Sequence, residues 1–273
     1  MSLATVLFLF LAHLGVGIVC TLALVSRDAG VKFFRFNAGL AAILMVIALA
    51  FRYGAFGAFP SDPSPLDGDA LLALDAATVA TLLYWATVGR SLARVRPVVA
   101  GVAILGGLAA VVLQALVVSG GQSQIVQIVT VASFLTSAAM LGGACTAMIL
   151  GHWYLVIPSM QVSHLQAIVL VHIASMAARV VVVAFAVWYA LATWLPDSGP
   201  SFHHYIFSVD GIFFWQRVLF GLAGPAVLSY LTWQTAKIRS TQSATGILYV
   251  DFFTVVVGEV LAKYIVLATH VPV

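Results

Sequence analysis

The chain has 273 residues, of which 63% are hydrophobic and 8% charged, with a mean hydropathy of +1.11. A soluble domain carries roughly 25% charged residues, so this composition excludes a water-covered surface and points to lipid as the main solvent. A formal net charge of +3 is too sparse for a nucleic-acid surface, and long apolar runs that do not alternate exclude a β-barrel.

A spanning helix needs roughly 20 apolar residues. That criterion predicts an all-α, polytopic transmembrane bundle of about eight helices, one transmembrane domain over residues 1–273. The predicted helices run Leu3 to Val25, Phe36 to Phe56, Ala70 to Gly89, Pro97 to Val118, Ile125 to Leu150, Val162 to Trp194, Val209 to Ala236 and Ala244 to Thr269. No Lys or Arg precedes the first run, so it reads as a first helix rather than a signal peptide. Pro60 to Pro65, Gly120-Gly121 and Leu195 to Pro200 punctuate the connections. No internal repeat stands out.

The connection after helix one carries Arg27, Lys32 and Arg35, the third Arg90, Arg94 and Arg96, and the seventh Lys237 and Arg239. The second is acidic, with Asp62, Asp67 and Asp69. The positive-inside rule therefore predicts cytoplasmic odd loops and both termini on the outer, periplasmic side of an inner (cytoplasmic) membrane. Gly143, Ala147 and Gly151 have the small-residue spacing of a close helix contact. Trp153, Tyr154, Trp188, Tyr189 and Trp194 are predicted interface aromatics. Gly221, Gly224 and Pro225 predict a kink in helix seven. Cys20 and Cys145 lie in apolar runs without a CxxC motif, which rules out an iron–sulfur cluster or a structural zinc built by this chain alone.

Ionisable groups inside spanning helices are costly and mark pathways or sites. Helix six carries His172 near mid-membrane and Arg179 in its outer half, seven residues apart and so on one face. Helix seven carries Asp210 and Arg217; helix eight carries Asp251, Glu259, Lys263 and His270, the last three on one stripe. Arg179, Arg217, Glu259 and Lys263 are thus predicted at similar depth, with His203 and His204 above them and Asp75 entering from the same side. The arrangement reads either as a buried ion network that fixes helix register or as a polar pocket open to the outer leaflet. His13 and His172, read at one depth on different helices, have the donors for axial ligation of a b-type haem, or each simply bonds a neighbouring helix. His152 and His164 read as interfacial, and the segment Gly151 to Pro158 is distinctive without an evident mechanism.

The last helix reads Gly258-Glu259-Val260-Leu261-Ala262-Lys263-Tyr264-Ile265, followed by Ala268-Thr269-His270-Val271. This resembles the closing segment of dimethyl-sulfoxide-reductase-type integral membrane anchor subunits, related to polysulfide-reductase-type anchors. The resemblance covers about a dozen residues, and Lys263 stands where such anchors usually have Arg. It implies a subunit that exchanges electrons between a quinone (menaquinone or ubiquinone) and an iron–sulfur or cytochrome partner of a respiratory complex, carrying no metal itself. On that reading Glu259 and His270 accept protons, while Lys263, Arg179 and Arg217 stabilise negative charge on the quinone. The alternatives are a haem b cytochrome with His13 and His172 as ligands, and a transporter or non-catalytic scaffold subunit.

Overall fold

The computed structural model describes residues 2–53, 64–90, 93–157, 161–193 and 201–273. The expectations for Pro60 to Asp62, Trp194, Pro158 and Leu195 to Pro200, and for the end of helix two at Phe56, lie outside these residues. Among the described residues every regular element is helical: α1 (Leu3–Leu22), a short 3-10 turn (Arg27–Ala29), α2 (Gly30–Arg52), α3 (Pro65–Thr87), α4 (Arg96–Val118), α5 (Gln124–Val156), α6 (Val162–Ala192), α7 (Phe202–Phe207), α8 (Gly211–Val218), a π-helical turn (Leu219–Ala223), α9 (Gly224–Lys237) and α10 (Thr241–Thr269). With α8, the π turn and α9 taken as one interrupted span, eight segments among the described residues are long and apolar enough to cross a membrane.

Local chemistry sets several helix starts. Ser64 and Ser123 accept from Asp67 N–H and Val126 N–H, supplying partners for first-turn donors that have none inside the helix. Pro65 takes the first position of α3, where its missing N–H costs nothing. Several helices extend beyond their predicted bounds: α2 begins at Gly30 rather than Phe36, α3 at Pro65 rather than Ala70, α10 at Thr241 rather than Ala244, and α5 runs on to Val156. The α5 extension carries the Gly151 segment, whose residues tie four helices together. His152 Nδ1 lies 2.9 Å from Tyr249 Oη of α10, Trp153 packs edge-on against Phe33 of α2, and Tyr154 Oη donates to the Gln161 carbonyl at the start of α6. Tyr154 is therefore buried rather than an outward-facing belt residue, whereas Trp188 is exposed as predicted.

α1 is hydrophobic on every side, so it can bury its whole circumference. It packs on α2, α4, α5 and α10; α5 and α10 also pack on each other. These three helices form the centre, flanked by α2–α4 on one side and by α6, α8 and α9 on the other. The outer faces display Ile43, Leu72, Leu105, Val181 and Phe253 in the open, a surface suited to lipid.

The closest approach between α1 and α5 is at Gly17 and Gly142, where a Cβ on either glycine would overlap the other helix's backbone. The predicted stripe of small residues makes its close contacts with two other helices. Gly143 faces His172 of α6, and Gly151 faces Thr245 and Leu248 of α10. Gly142→Ala should destabilise the protein by about 1–3 kcal/mol or more through overpacking. Gly101→Ala, where an added Cβ meets nothing, should be neutral or stabilising by up to about 1 kcal/mol. Unfolding midpoints in detergent compare the two; equal midpoints would mean that the α1–α5 contact is not tight.

Candidate functional site

Four of the charges predicted at one depth meet, and Glu259 is the centre. Its Oε1 accepts from Arg179 Nε at 3.1 Å and from Arg217 Nη2 at 2.7 Å. Its Oε2 accepts from Ser137 Oγ at 2.5 Å and from Arg179 Nη2 at 3.4 Å, with Lys263 Nζ 3.9 Å away. Glu259 and all three cations are at most 1% exposed. Among these four side chains, three cations against one carboxylate leave a formal excess of two positive charges.

The surrounding dipoles answer that excess. Arg179 Nη1 donates to the Ser133 carbonyl at 3.0 Å and to Ser133 Oγ at 2.5 Å, and its Nη2 donates to the Val273 carbonyl at 3.1 Å. Lys263 Nζ donates to Ser137 Oγ at 2.8 Å and stands 4.5 Å above the Phe134 ring, a cation–π contact. Arg217 Nη1 donates to the Gly221 carbonyl at 2.9 Å. That carbonyl is free because Pro225, four residues on, has no N–H to give it. The predicted kink is thus a π turn that hands an arginine its acceptor. Gly258 of α10 makes room for it: a Cβ there would overlap Gly221.

Sequence reasoning missed Ser133, Phe134 and Ser137. Their signal was available, since two serines four residues apart form a polar spot on one face of an apolar helix. The Val273 main-chain oxygen had no side-chain signal.

The structure brings together Arg179, Arg217, Glu259 and Lys263, and leaves the other predicted site residues elsewhere. His270 does not join the cluster. It ends α10 in the left-handed conformation, φ 58°, and its side chain is exposed. The turn that carries Val273 back onto Arg179 directs His270 outward. His172 instead lies against Asp251, Nε2 to Oδ2 2.8 Å, with both side chains fully buried. Asp251 precedes Glu259 by eight residues, about 12 Å along α10. His13 is fully buried with its ring edge-on to Phe134 at 4.8 Å. Gln114 of α4 approaches it, yet no hydrogen bond of normal geometry forms. His13 and His172 do not share a level: they abut Phe134 and Gly143 of α5, nine residues or about 13 Å apart. Asp75 is also remote from the cluster. It accepts from Tyr53 Oη at 2.6 Å, which pushes the Tyr53 phenol up to about 12.

Beside the cluster is a cleft of about 590 Å³ between the ends of α6, α7 and α10. Ser201, His204, Tyr205 and Asp210 supply its polar groups; Ala190, Phe202, Ala268 and Val271 supply apolar wall. Ser201 caps α7 by accepting from His204 N–H. Val271 lines the cleft and Val273 bonds Arg179, so the short stretch of main chain from Val271 to Val273 separates the open space from the buried charges. No group of three or more His, Cys, Asp or Glu suited to a metal ion occurs among the described residues. No protein-family model and no curated protein matches the chain.

Glu259→Gln should cost about 3–5 kcal/mol, because three buried cations lose their counter-ion. Combining it with Arg179→Gln should cost less than the two single changes summed. Thermal unfolding of the four proteins in one detergent gives the cycle. Additivity within about 0.5 kcal/mol would show that the residues act independently.

Proposed function

We propose that the chain is the quinone- or quinol-reactive subunit of a membrane electron-transfer complex, seated in a cytoplasmic membrane, and that the cleft between α6, α7 and α10 takes the quinone ring. The observation that carries this reading is the buried Glu259 cluster. It is a fixed site of formal positive excess, held beside an open cleft that has both apolar wall and titratable groups. Such a site favours negative charge developing on a ring in the cleft. The resemblance of the Gly258 to Val271 segment to dimethyl-sulfoxide-reductase-type anchors agrees with it.

Quinol oxidation sends two electrons to an iron–sulfur or cytochrome partner and releases two protons. Glu259 is badly placed to take either, since Arg179, Arg217 and Ser137 already occupy its oxygens. The imidazole and carboxylate that line the cleft are His204 and Asp210. They are therefore the proposed proton acceptors, with the Glu259 cluster setting the field around them. This moves the proton chemistry from Glu259 and His270 to the cleft wall.

One feature favours a second reading. Span seven is interrupted by a π turn beside buried cations, and broken helices with excess positive charge also suit carriers of anionic substrates.

Calorimetric titration of the protein in nanodiscs with decyl-ubiquinone and a short-chain menaquinone analogue tests the first reading. Micromolar binding is expected, weakened at least about tenfold in His204→Ala/Asp210→Asn. Quinol-linked turnover of the native complex should fall about 10²-fold in the same variant, the usual size of a lost proton-transfer group. Binding of neither quinone would sink the reading, and anion counterflow in proteoliposomes would then support the carrier.

A further inference from the structure

A second cleft, of about 440 Å³, lies at the opposite end of the bundle between α2 and α3. It is lined by Lys32, Arg35, Phe36, Gly39, Leu40, Ile43 and Trp85. The α2 residues recur at helical spacing and so form one stripe. Its chemistry is graded along the helix. The two cations sit in the first turns, and the apolar residues continue to Ile43, about 16 Å deeper than Lys32.

Trp85 forms the other wall. The Arg35 guanidinium lies 5.5 Å above its ring, which holds the charge at the mouth of the groove. Gly39 lets the indole settle against α2, since a Cβ there would stand 2.8 Å from Trp85 Nε1. No carboxylate among the described residues pairs with Lys32 or Arg35; the nearby Asp28 lies 3.0 Å from His164 Nε2 instead. Phe36 and Ile43 are more than half exposed.

We infer that this cleft is a binding site for an anionic phospholipid. The phosphate is held by Lys32 and Arg35, and one acyl chain runs down Phe36, Leu40 and Ile43 against Trp85. The charge gradient selects the class. A soluble anion would use the cations and leave the apolar stripe uncovered. A zwitterionic lipid would bring a cation of its own to the site. A basic groove between transmembrane helices with apolar depth is the form that anionic headgroup sites take.

Native mass spectrometry of the full chain, purified in detergent and supplied with phosphatidylglycerol, cardiolipin or phosphatidylcholine, tests this. Retention of the anionic lipids over phosphatidylcholine is expected. Lys32→Ala/Arg35→Ala should bind phosphatidylglycerol roughly thirty-fold more weakly, at about fivefold for each lost surface cation. Lys32→Ala alone changes an exposed side chain and should give about a fivefold loss with the fold intact. Lys237→Glu, on a different connection, should leave retention unchanged. Equal retention of phosphatidylcholine, an unchanged affinity in both Lys32 variants, or full displacement of the lipid by millimolar inorganic phosphate would each overturn the assignment.

Discussion

One carboxylate holds the carboxyl-terminal half of this bundle in register. Glu259 of α10 is bonded by Arg179 of α6, Arg217 of α8 and Ser137 of α5. Removing each of these ions from water costs several kcal/mol, which pairing and hydrogen bonding must offset. The offset works only if all four helices keep their rotation and depth. A shift of one residue turns a helical side chain by about 100° and would strand a buried charge. The cluster is therefore a poor source of net stability and a strict device for specifying one arrangement.

The backbone is adapted to this demand. Arg217 needs an acceptor beyond Glu259, and Pro225 leaves the Gly221 carbonyl open for it. The π turn brings Gly221 against Gly258, one residue before Glu259, so the interruption of span seven and the seating of the cluster are one feature. At the other side of the centre, Gly17 and Gly142 allow α1 to lie directly on α5. Phe134 of α5 then stands between His13 and Lys263, edge-on to the first and under the second. Both glycine contacts bear on the polar centre, one through α10 and one through α5.

The eight spans were legible because lipid imposes a length and an apolar composition that few other structures share. The meeting of Arg179, Arg217, Glu259 and Lys263 was also legible, since alternating spans with a fixed rise convert sequence position into depth. What depended on rotation or on local backbone was not. Gly142 differs from Gly143 by one residue, and only the packed structure says which faces α1. His270 matched the Glu259 stripe by spacing, but α10 ends there in a left-handed residue, where helical periodicity no longer applies. Asp251 was visible in the sequence as a buried carboxylate, yet its partner is on another helix. Spacing along one helix cannot name a partner on another, so the sequence leaves His172 open between a haem ligand and a bond to a neighbouring helix, and the structure gives the second.

The distance between the charges and the open space bears on how the proposed quinone site would work. Val271 borders the cleft and Val273 bonds Arg179, and two residues of chain reach at most about 7 Å. A ring in the cleft would not touch the cluster, but it would lie within its field. At about 10 Å and an effective dielectric of about 20, each unit of positive excess is worth about 1.7 kcal/mol, more than a tenfold bias toward an anionic form. At that separation the cations need no contact with the substrate. Main chain between them and the cleft keeps water from the ion pairs, while His204 and Asp210 remain open to exchange protons. A contact site would have to expose Glu259 to do the same work, and exposure would weaken the pairing that holds the four helices in place.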